Sequence, residues 1–315
     1  MEDACLSTTL EISQNHQVRL DGVFDGHGGG KDCASYLENE LPDYLSKRLK
    51  AEVLEPGYQG MDLKVAVWNL LKCMYPRLTL QYRNCHKQED ELDCPKSTAT
   101  AVVRFGNMVW AACAGDSRAI LVKRSQGAYA LSEDAKVGEL DPEPAKYARD
   151  SLKRRGEIVK HWEADLAPPA LRVFKYNVVA LNMTRSVGHS ETNSGVNPRA
   201  KVICPSEAVL AEGDFTLVAS DGLWDVMSSN QAGDIVRLLS KLGKSCAEIA
   251  NIIVNKAFEW GSRDNITAVV SDLRARVTPA VDPSPGIFTP QLLPSEQATT
   301  PALVPQETMH AGLIC

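Results

Sequence analysis

Val23-Phe24-Asp25-Gly26-His27-Gly28-Gly29 decides how this chain is read. An apolar run ends in a carboxylate, and an imidazole follows two positions later. The glycines at 28, 29 and 30 let the backbone turn sharply and approach a neighbour closely. A strand that ends in Asp-Gly sets an acid at the rim of a sheet, where oxygen ligands hold a hard cation. The pattern recurs where Phe215-Thr216-Leu217-Val218-Ala219-Ser220 runs into Asp221-Gly222. Asp116 follows Ala112-Cys113-Ala114-Gly115, and Asp264 precedes Asn265-Ile266-Thr267-Ala268-Val269-Val270.

Outward from these acids, Val18–Phe24, Thr98–Phe105, Met108–Ala114 and Ala119–Lys123 read as strands, as do Val178–Met183, Phe215–Ser220 and Asn265–Leu273. Gly106-Asn107 and Gly115-Asp116 between successive runs are hairpin signals, so the local sheet is expected to be antiparallel. Residues 30–50 carry Leu37, Leu41, Tyr44, Leu45 and Leu49 at helical spacing, and 62–83 form a second helical stretch. Pro42 and Pro76 predict a bend or break in each. Residues 143–156, 229–242 and 246–259 read as helices, and 157–178, with Pro168-Pro169, as irregular. Helices and hairpins come in blocks, which favours α+β with antiparallel sheets over a doubly wound parallel sheet.

Composition narrows the function. At 44% hydrophobic and 23% charged, the 315 residues are ordinary for a soluble globular protein. A net charge of -6 argues against a general nucleic-acid surface. No run of 18 apolar residues predicts a membrane span, and Met-Glu-Asp-Ala-Cys has neither the basic region nor the apolar core of a signal peptide. Nine scattered cysteines without a C-x-x-C read as reduced thiols, which places the protein in cytoplasm or nucleus. Cys85, His86 and Cys94 match no structural zinc spacing. After Arg276 there is no Lys or Arg, and seven prolines follow from Pro279 onward. Residues 277–315 therefore read as a disordered Pro-rich tail, either solvated or phosphorylated at its Thr-Pro and Ser-Pro pairs.

Bare carboxylates gathered together repel one another, so a cluster is tolerated mainly when cations neutralise it, and oxygen-only ligands select Mg²⁺ or Mn²⁺. Two such ions acidify a water and hold a phosphoryl oxygen, and His27 beside them could protonate a leaving oxygen. A single strand-end Asp-Gly is usually only a turn. Asp-Gly-His-Gly-Gly together with Ser220-Asp221-Gly222-Leu223-Trp224-Asp225 is far more specific.

With these motifs the chain resembles the metal-dependent Ser/Thr protein phosphatases of type 2C (PPM). Seven elements match in family order: Met1–Ala4, Val23–Gly29, Ser97-Thr98-Ala99, Ala114–Arg118, Leu181–Gly188, Ala219–Met227 and Ser262–Asn265. The resemblance implies a four-layer α-β-β-α sandwich, two antiparallel sheets with helix pairs outside, over residues 1–276. It implies two Mg²⁺ or Mn²⁺ ions. Asp25 would bridge them and the Gly26 carbonyl would bind one. Asp221 and Asp264 would bind the other, and Glu2 would hold its ion directly or through water. Asp116 and Asp225 match a weaker third site, and His27 matches the general acid. The implied reaction is one-step hydrolysis of phosphoserine or phosphothreonine in phosphoprotein substrates, by a monomer.

The chain also departs from the pattern. The family carries an edge strand before Met-Glu-Asp with an Arg that grips the phosphate, and neither precedes Met1. Arg19 is not the matching position. Asp134-Ala135-Lys136-Val137 stands where Asp-His-Lys-Pro is common, and His189 where an Asp is. The segment matching the family's flap, about 140–178, holds Lys153-Arg154-Arg155, Lys160-His161 and Arg172, either a solvated face or a phosphopeptide dock. Loss of a bidentate Arg would weaken phosphate binding. The alternative expectation is therefore a pseudophosphatase that binds phosphoproteins without turnover.

Overall fold

The computed structural model describes residues 2–28, 31–86, 95–125, 127–136, 158–161, 171–175, 179–181, 183–189, 196–204, 213–273 and 311–314. Two five-stranded sheets dominate it. The first runs in the order β1 (Ala4–Ser13), β2 (His16–Phe24), β5 (Ala99–Phe105), β6 (Met108–Ala114) and β12 (Lys201–Ile203). The second runs β15 (Ala311–Ile314), β14 (Ile266–Asp272), β13 (Phe215–Ala219), β7 (Arg118–Val122) and β8 (Ala128–Ala130). All their pairings are antiparallel except β14 with β15. A short ladder joins β3 (Gly26–His27) to β4 (Lys96–Ser97).

Burial follows strand alternation, because successive side chains point to opposite faces. Leu20 and Phe24 of the first sheet pack with Leu41, Leu45, Leu71 and Leu78 of α1 (Asp32–Leu49) and α2 (Gly60–Cys85). Val23, Val102, Leu121, Val218 and Val269 form a separate cluster drawn from both sheets. Leu217 and Val270, each adjacent in sequence to Val218 or Val269, pack instead with Val236 and Ile253 of α4 (Ser229–Lys241) and α5 (Cys246–Glu259). These strands are covered on both faces, which is why Phe215–Ala219 and Ile266–Val270 read as apolar runs rather than as an alternation.

Several expectations need correction. Pro42 and Pro76 break neither helix: α1 runs unbroken into a π-helical turn at Lys50–Leu54, and α2 spans 26 residues. The apolar stripes on both sides of each proline, Leu37 with Leu45 and Leu71 with Leu78, are fully buried, and that packing offsets the lost backbone bond. The stretch 157–178 is not irregular throughout. β9 (Ile158–His161), β10 (Leu171–Lys175) and β11 (Val179–Leu181) form a three-stranded antiparallel sheet, its β-branched residues favouring strand. The helix expected at 143–156 lies outside the described residues, as does the tail except for β15. β1 was not anticipated. Its buried Leu6, Leu10 and Ile12 alternate with polar neighbours and pair with β2 from Ala4↔Phe24 to Ser13↔His16.

Three registers put the acids in one place. Ala4 pairs with Phe24, so Asp3 and Asp25 leave β1 and β2 side by side. Ala99 pairs with Ala114, which sets Thr98 beside Gly115-Asp116. Ala219 pairs with both Arg118 and Ala268, so Asp116, Asp221 and Asp264 emerge at the same end of the second sheet.

Candidate metal centre and active site

Asp25 is held through its backbone, which leaves its carboxylate to the site. Its N–H donates to Thr98 Oγ1 at 3.2 Å, and its carbonyl accepts from Thr98 N at 2.8 Å and Ser97 Oγ at 3.1 Å. This is what the Ser97-Thr98-Ala99 stretch does. Gly26 is required by close approach: a Cβ there would lie 2.4 Å from the Glu2 carbonyl oxygen. Glu2 is thereby packed against Asp25-Gly26.

On the other side, Ser220 N donates to the Thr267 carbonyl and Thr267 N donates to Ser220 Oγ, both at 3.0 Å. Ser262 Oγ donates to the Gly222 carbonyl at 2.6 Å. These bonds fasten Asp221, at the start of the short helix α3 (Asp221–Trp224), to the segment carrying Asp264. Thr267 Oγ1 also donates to Asp3 Oδ2 at 2.7 Å, and Asp3 is buried. Asp3 belongs to the acid cluster, and the sequence reading did not single it out. The available signal was its place beside Glu2, ahead of the alternating Leu6, Leu10 and Ile12.

Asp116 is fully buried after Gly115, whose φ of +138 and 2.5 Å approach to Thr98 Cβ admit no side chain. Arg118 grips Asp134 with a fork of 2.9 and 2.6 Å and lies 5.2 Å over the Trp224 ring. The Asp116 hairpin is thus tied to α3. Lys136 Nζ donates to Asp225 Oδ1 at 2.9 Å, so Asp225, the more exposed of the two third-site candidates, already has a cationic partner. Arg19 is committed elsewhere, to Asp21, Ser7 and Ser271.

The electrostatics of the acids agree with their grouping. Burial first, then repulsion from Asp3, Asp221, Asp116 and Asp264, holds Asp25 well above the usual carboxylate range. Burial, then Asp116, Asp264 and Asp225, does the same to Asp221. Asp3 and Asp116 are pushed up to about 6, again chiefly by burial. Asp3 Oδ1, both Asp116 carboxylate oxygens and Asp221 Oδ1 are buried without a hydrogen-bond partner. Buried polar atoms are normally satisfied, and oxygen-only donors with excess negative charge fit a hard divalent cation. Among the described residues, no three His, Cys, Asp or Glu side chains already stand close enough to close on one ion. The acids share a region rather than a finished coordination shell.

A pH dependence follows. An acid whose pKa is raised on folding binds more protons folded than unfolded, so its contribution to stability falls as pH rises from the unfolded value to the folded one. For Asp116 that window runs from 3.8 to about 6. With chelator present, Asp116→Asn should gain urea midpoint relative to the parent as pH rises from 4 to 7. A difference that stays flat over that interval would remove Asp116 from the repelling cluster.

His27 Nε2 lies 2.7 Å from Ser186 Oγ, and its ring centroid is 6.1 Å from that of the buried His189. Burial, then the neighbouring Lys96 charge, pushes His27 down to about 4.

The family description "Protein phosphatase 2C" matches residues 1–143 and 155–266. The chain belongs to the protein phosphatase 2C family. Over 280 residues this phosphatase 2C chain is 31% identical to "Probable protein phosphatase 2C 28" of Arabidopsis thaliana, covering 86% of this chain and 68% of that relative. It is 28% identical over 273 residues to a "Protein kinase and PP2C-like domain-containing protein" of Oryza sativa subsp. japonica, covering 84% of this chain. The match spans 36% of that rice relative and 44% of "Probable protein phosphatase 2C 52" from the same organism, so the chain accounts for less than half of either. The fold is that of the Toxoplasma gondii serine-threonine phosphatase 2C, with TM-score 0.62 and 20% identity over 85% of this chain and 93% of that one. A C. elegans sex determining protein also shares it, with TM-score 0.66 over 87% of this chain. The phosphatase 2C match includes Asp25, Asp116, Asp221 and Asp264 within its limits. No helix among the described residues is long and apolar enough to cross a membrane.

Proposed function

We propose that the chain is a Mg²⁺- or Mn²⁺-dependent protein Ser/Thr phosphatase whose active site lies among Glu2, Asp25, Asp116, Asp221 and Asp264. One observation carries the reading: buried carboxylate oxygens of Asp3, Asp116 and Asp221 have no hydrogen-bond partner, beside an Asp25 that all three repel. Asp25, the Gly26 carbonyl, Asp221, Asp264 and Glu2 would hold two ions, and Asp116 with Asp225 a weaker third. Bound there, the cations would neutralise the acids and activate a water for attack on phosphorus.

His27 gives its proton to the departing serine or threonine oxygen. A phosphate dianion brought against the ring favours the protonated form, opposing the burial that lowers its pKa. The three apolar clusters support a four-layer α-β-β-α arrangement, with the acids at one end of the paired sheets. Residues 1–276 would form this catalytic domain, working as a monomer on phosphoproteins.

The test is hydrolysis of a phosphothreonine peptide by purified protein with Mn²⁺, with and without chelator. Turnover that chelator abolishes is expected. Mn²⁺-dependent peptide binding without turnover would replace the enzyme by a phosphoprotein-binding module.

A further inference from the structure

The strongest unassigned contact in the site is the one between His27 and Ser186. Ser186 is fully buried in the segment 183–189, which docks on β4 through Ser97 N to Val187 O at 3.2 Å and Val187 N to Ser97 O at 2.8 Å. Its hydroxyl lies 2.7 Å from His27 Nε2 and 3.0 Å from the Ser97 carbonyl, with the Val187 carbonyl farther away at 3.3 Å. β3 and β4 pair Gly26 with Ser97 and His27 with Lys96, so the same short ladder carries both the imidazole and the carbonyl.

A hydroxyl has one proton to donate. Both carbonyls can only accept, so the short contact to Ser97 is a hydrogen bond only when Ser186 is its donor. With Ser186 donating to the Ser97 carbonyl, the contact to His27 runs the other way, with Nε2–H donating to Ser186 Oγ. In that arrangement the neutral ring is the Nε2–H tautomer, with its lone pair on Nδ1. The second proton of the imidazolium therefore sits on Nδ1.

We propose that Ser186 is a positioning residue that locks His27 as the Nε2–H tautomer, so that the proton reaching the leaving oxygen comes from Nδ1. The proposal rests on the reading of His27 as general acid. In the transfer, the Nδ1–H bond breaks as the O–H bond of the released serine or threonine forms. The ring returns to its neutral form with its Nε2–H bond to Ser186 unbroken. No proton relay through the serine is needed. A partner that fixes tautomer and ring orientation is a recurring device for imidazoles that act on substrate or metal.

Two measurements test this on the full chain. Protein labelled with ¹⁵N-histidine, in long-range ¹H–¹⁵N spectra, should show His27 with a protonated Nε2 and a bare Nδ1. Ser186→Ala should show a tautomer mixture, and Ser186→Thr, which keeps the hydroxyl, should restore the single form. An Nδ1–H tautomer in the parent would overturn the assignment.

The second measurement compares kcat on a phosphothreonine peptide, which has a poor leaving group, with kcat on p-nitrophenyl phosphate, which has a good one. General-acid help matters mainly for the poor leaving group. Ser186→Ala should lose about tenfold more kcat on the peptide than on the aryl ester, with KM little changed, and should add nothing to the loss in His27→Ala. Equal losses on both substrates, or losses that add to those of His27→Ala, would make Ser186 a structural residue only. If His27→Ala itself does not separate the two substrates while the spectra show the predicted tautomer, it is the general-acid role of His27 that fails and takes the Nδ1 transfer with it.

Discussion

Asp221→Asn is expected to abolish Mn²⁺-dependent hydrolysis while making the protein more stable in chelator. The two effects share one cause. Asp221 is a buried carboxylate repelled by Asp116, Asp264 and Asp225, and its Oδ1 has no hydrogen-bond donor. An amide of the same shape removes that charge, which relieves the fold in the absence of metal. It also removes a ligand. Even the outer partners of metal ligands cost about 10–100-fold in affinity or activity when lost, so loss of the ligand itself should exceed a hundredfold. Ligand binding to the folded state at a hundredfold excess over its dissociation constant stabilises by about 2.7 kcal/mol, on the order of 5–10 °C for a domain of this size. The parent should show such a rise in melting temperature with Mn²⁺, and the variant should not. A variant that is active, or that melts below the parent in chelator, would contradict the assignment.

Gly222→Ala is the largest structural effect expected from a single methyl group. A Cβ at 222 would stand 2.1 Å from the Asn265 carbonyl oxygen, 3.0 Å from its carbon and 3.4 Å from Asp264 Cβ. No flexible side chain is available to yield, because the obstacle is backbone fastened by the Ser220–Thr267 bonds. Overpacking of this kind costs about 3 kcal/mol, or on the order of 10 °C in melting temperature. The strands can separate only by moving Asp221 away from Asp264, so the variant that remains folded should also lose its Mn²⁺-induced shift. Differential scanning calorimetry with and without Mn²⁺ reads both quantities. A melting temperature within 2 °C of the parent would show that the two segments are not in contact.

Much of this was legible in the sequence because the signals are local. Thr98–Phe105 and Met108–Ala114 are β-branched or apolar runs around Gly106-Asn107, and they form adjacent antiparallel strands. Residues 229–242 and 246–259 read as helices and form α4 and α5, which the structure shows opened by reciprocal capping bonds of Ser228 with Gln231 and Ser245 with Glu248. Asp25 and Asp221 were visible because each closes an apolar run. Asp3 was not, because what makes it a site residue is a register, Ala4 against Phe24, and a hydroxyl on Thr267. Ser186 was equally hidden: a serine in a loop acquires meaning only when His27 and the Ser97 carbonyl are brought to its two sides. β1 escaped notice because an edge strand keeps half its residues polar, and the strands at 158–161 and 171–175 because Pro168-Pro169 between them reads as irregular.

The hydrogen bond from Thr267 Oγ1 to Asp3 Oδ2 joins residues 264 positions apart. Such a contact cannot form on a ribosome until nearly the whole domain has left the exit tunnel, and loop closure of that span makes it a late event in refolding as well. Asp3, among the first residues synthesised, waits for the strand that carries Thr267. On the proposed reading, a growing chain would hold no complete metal centre before the strand carrying Thr267 is in place. Acquisition of Mn²⁺ affinity should mark the completion of folding rather than any intermediate on the way to it.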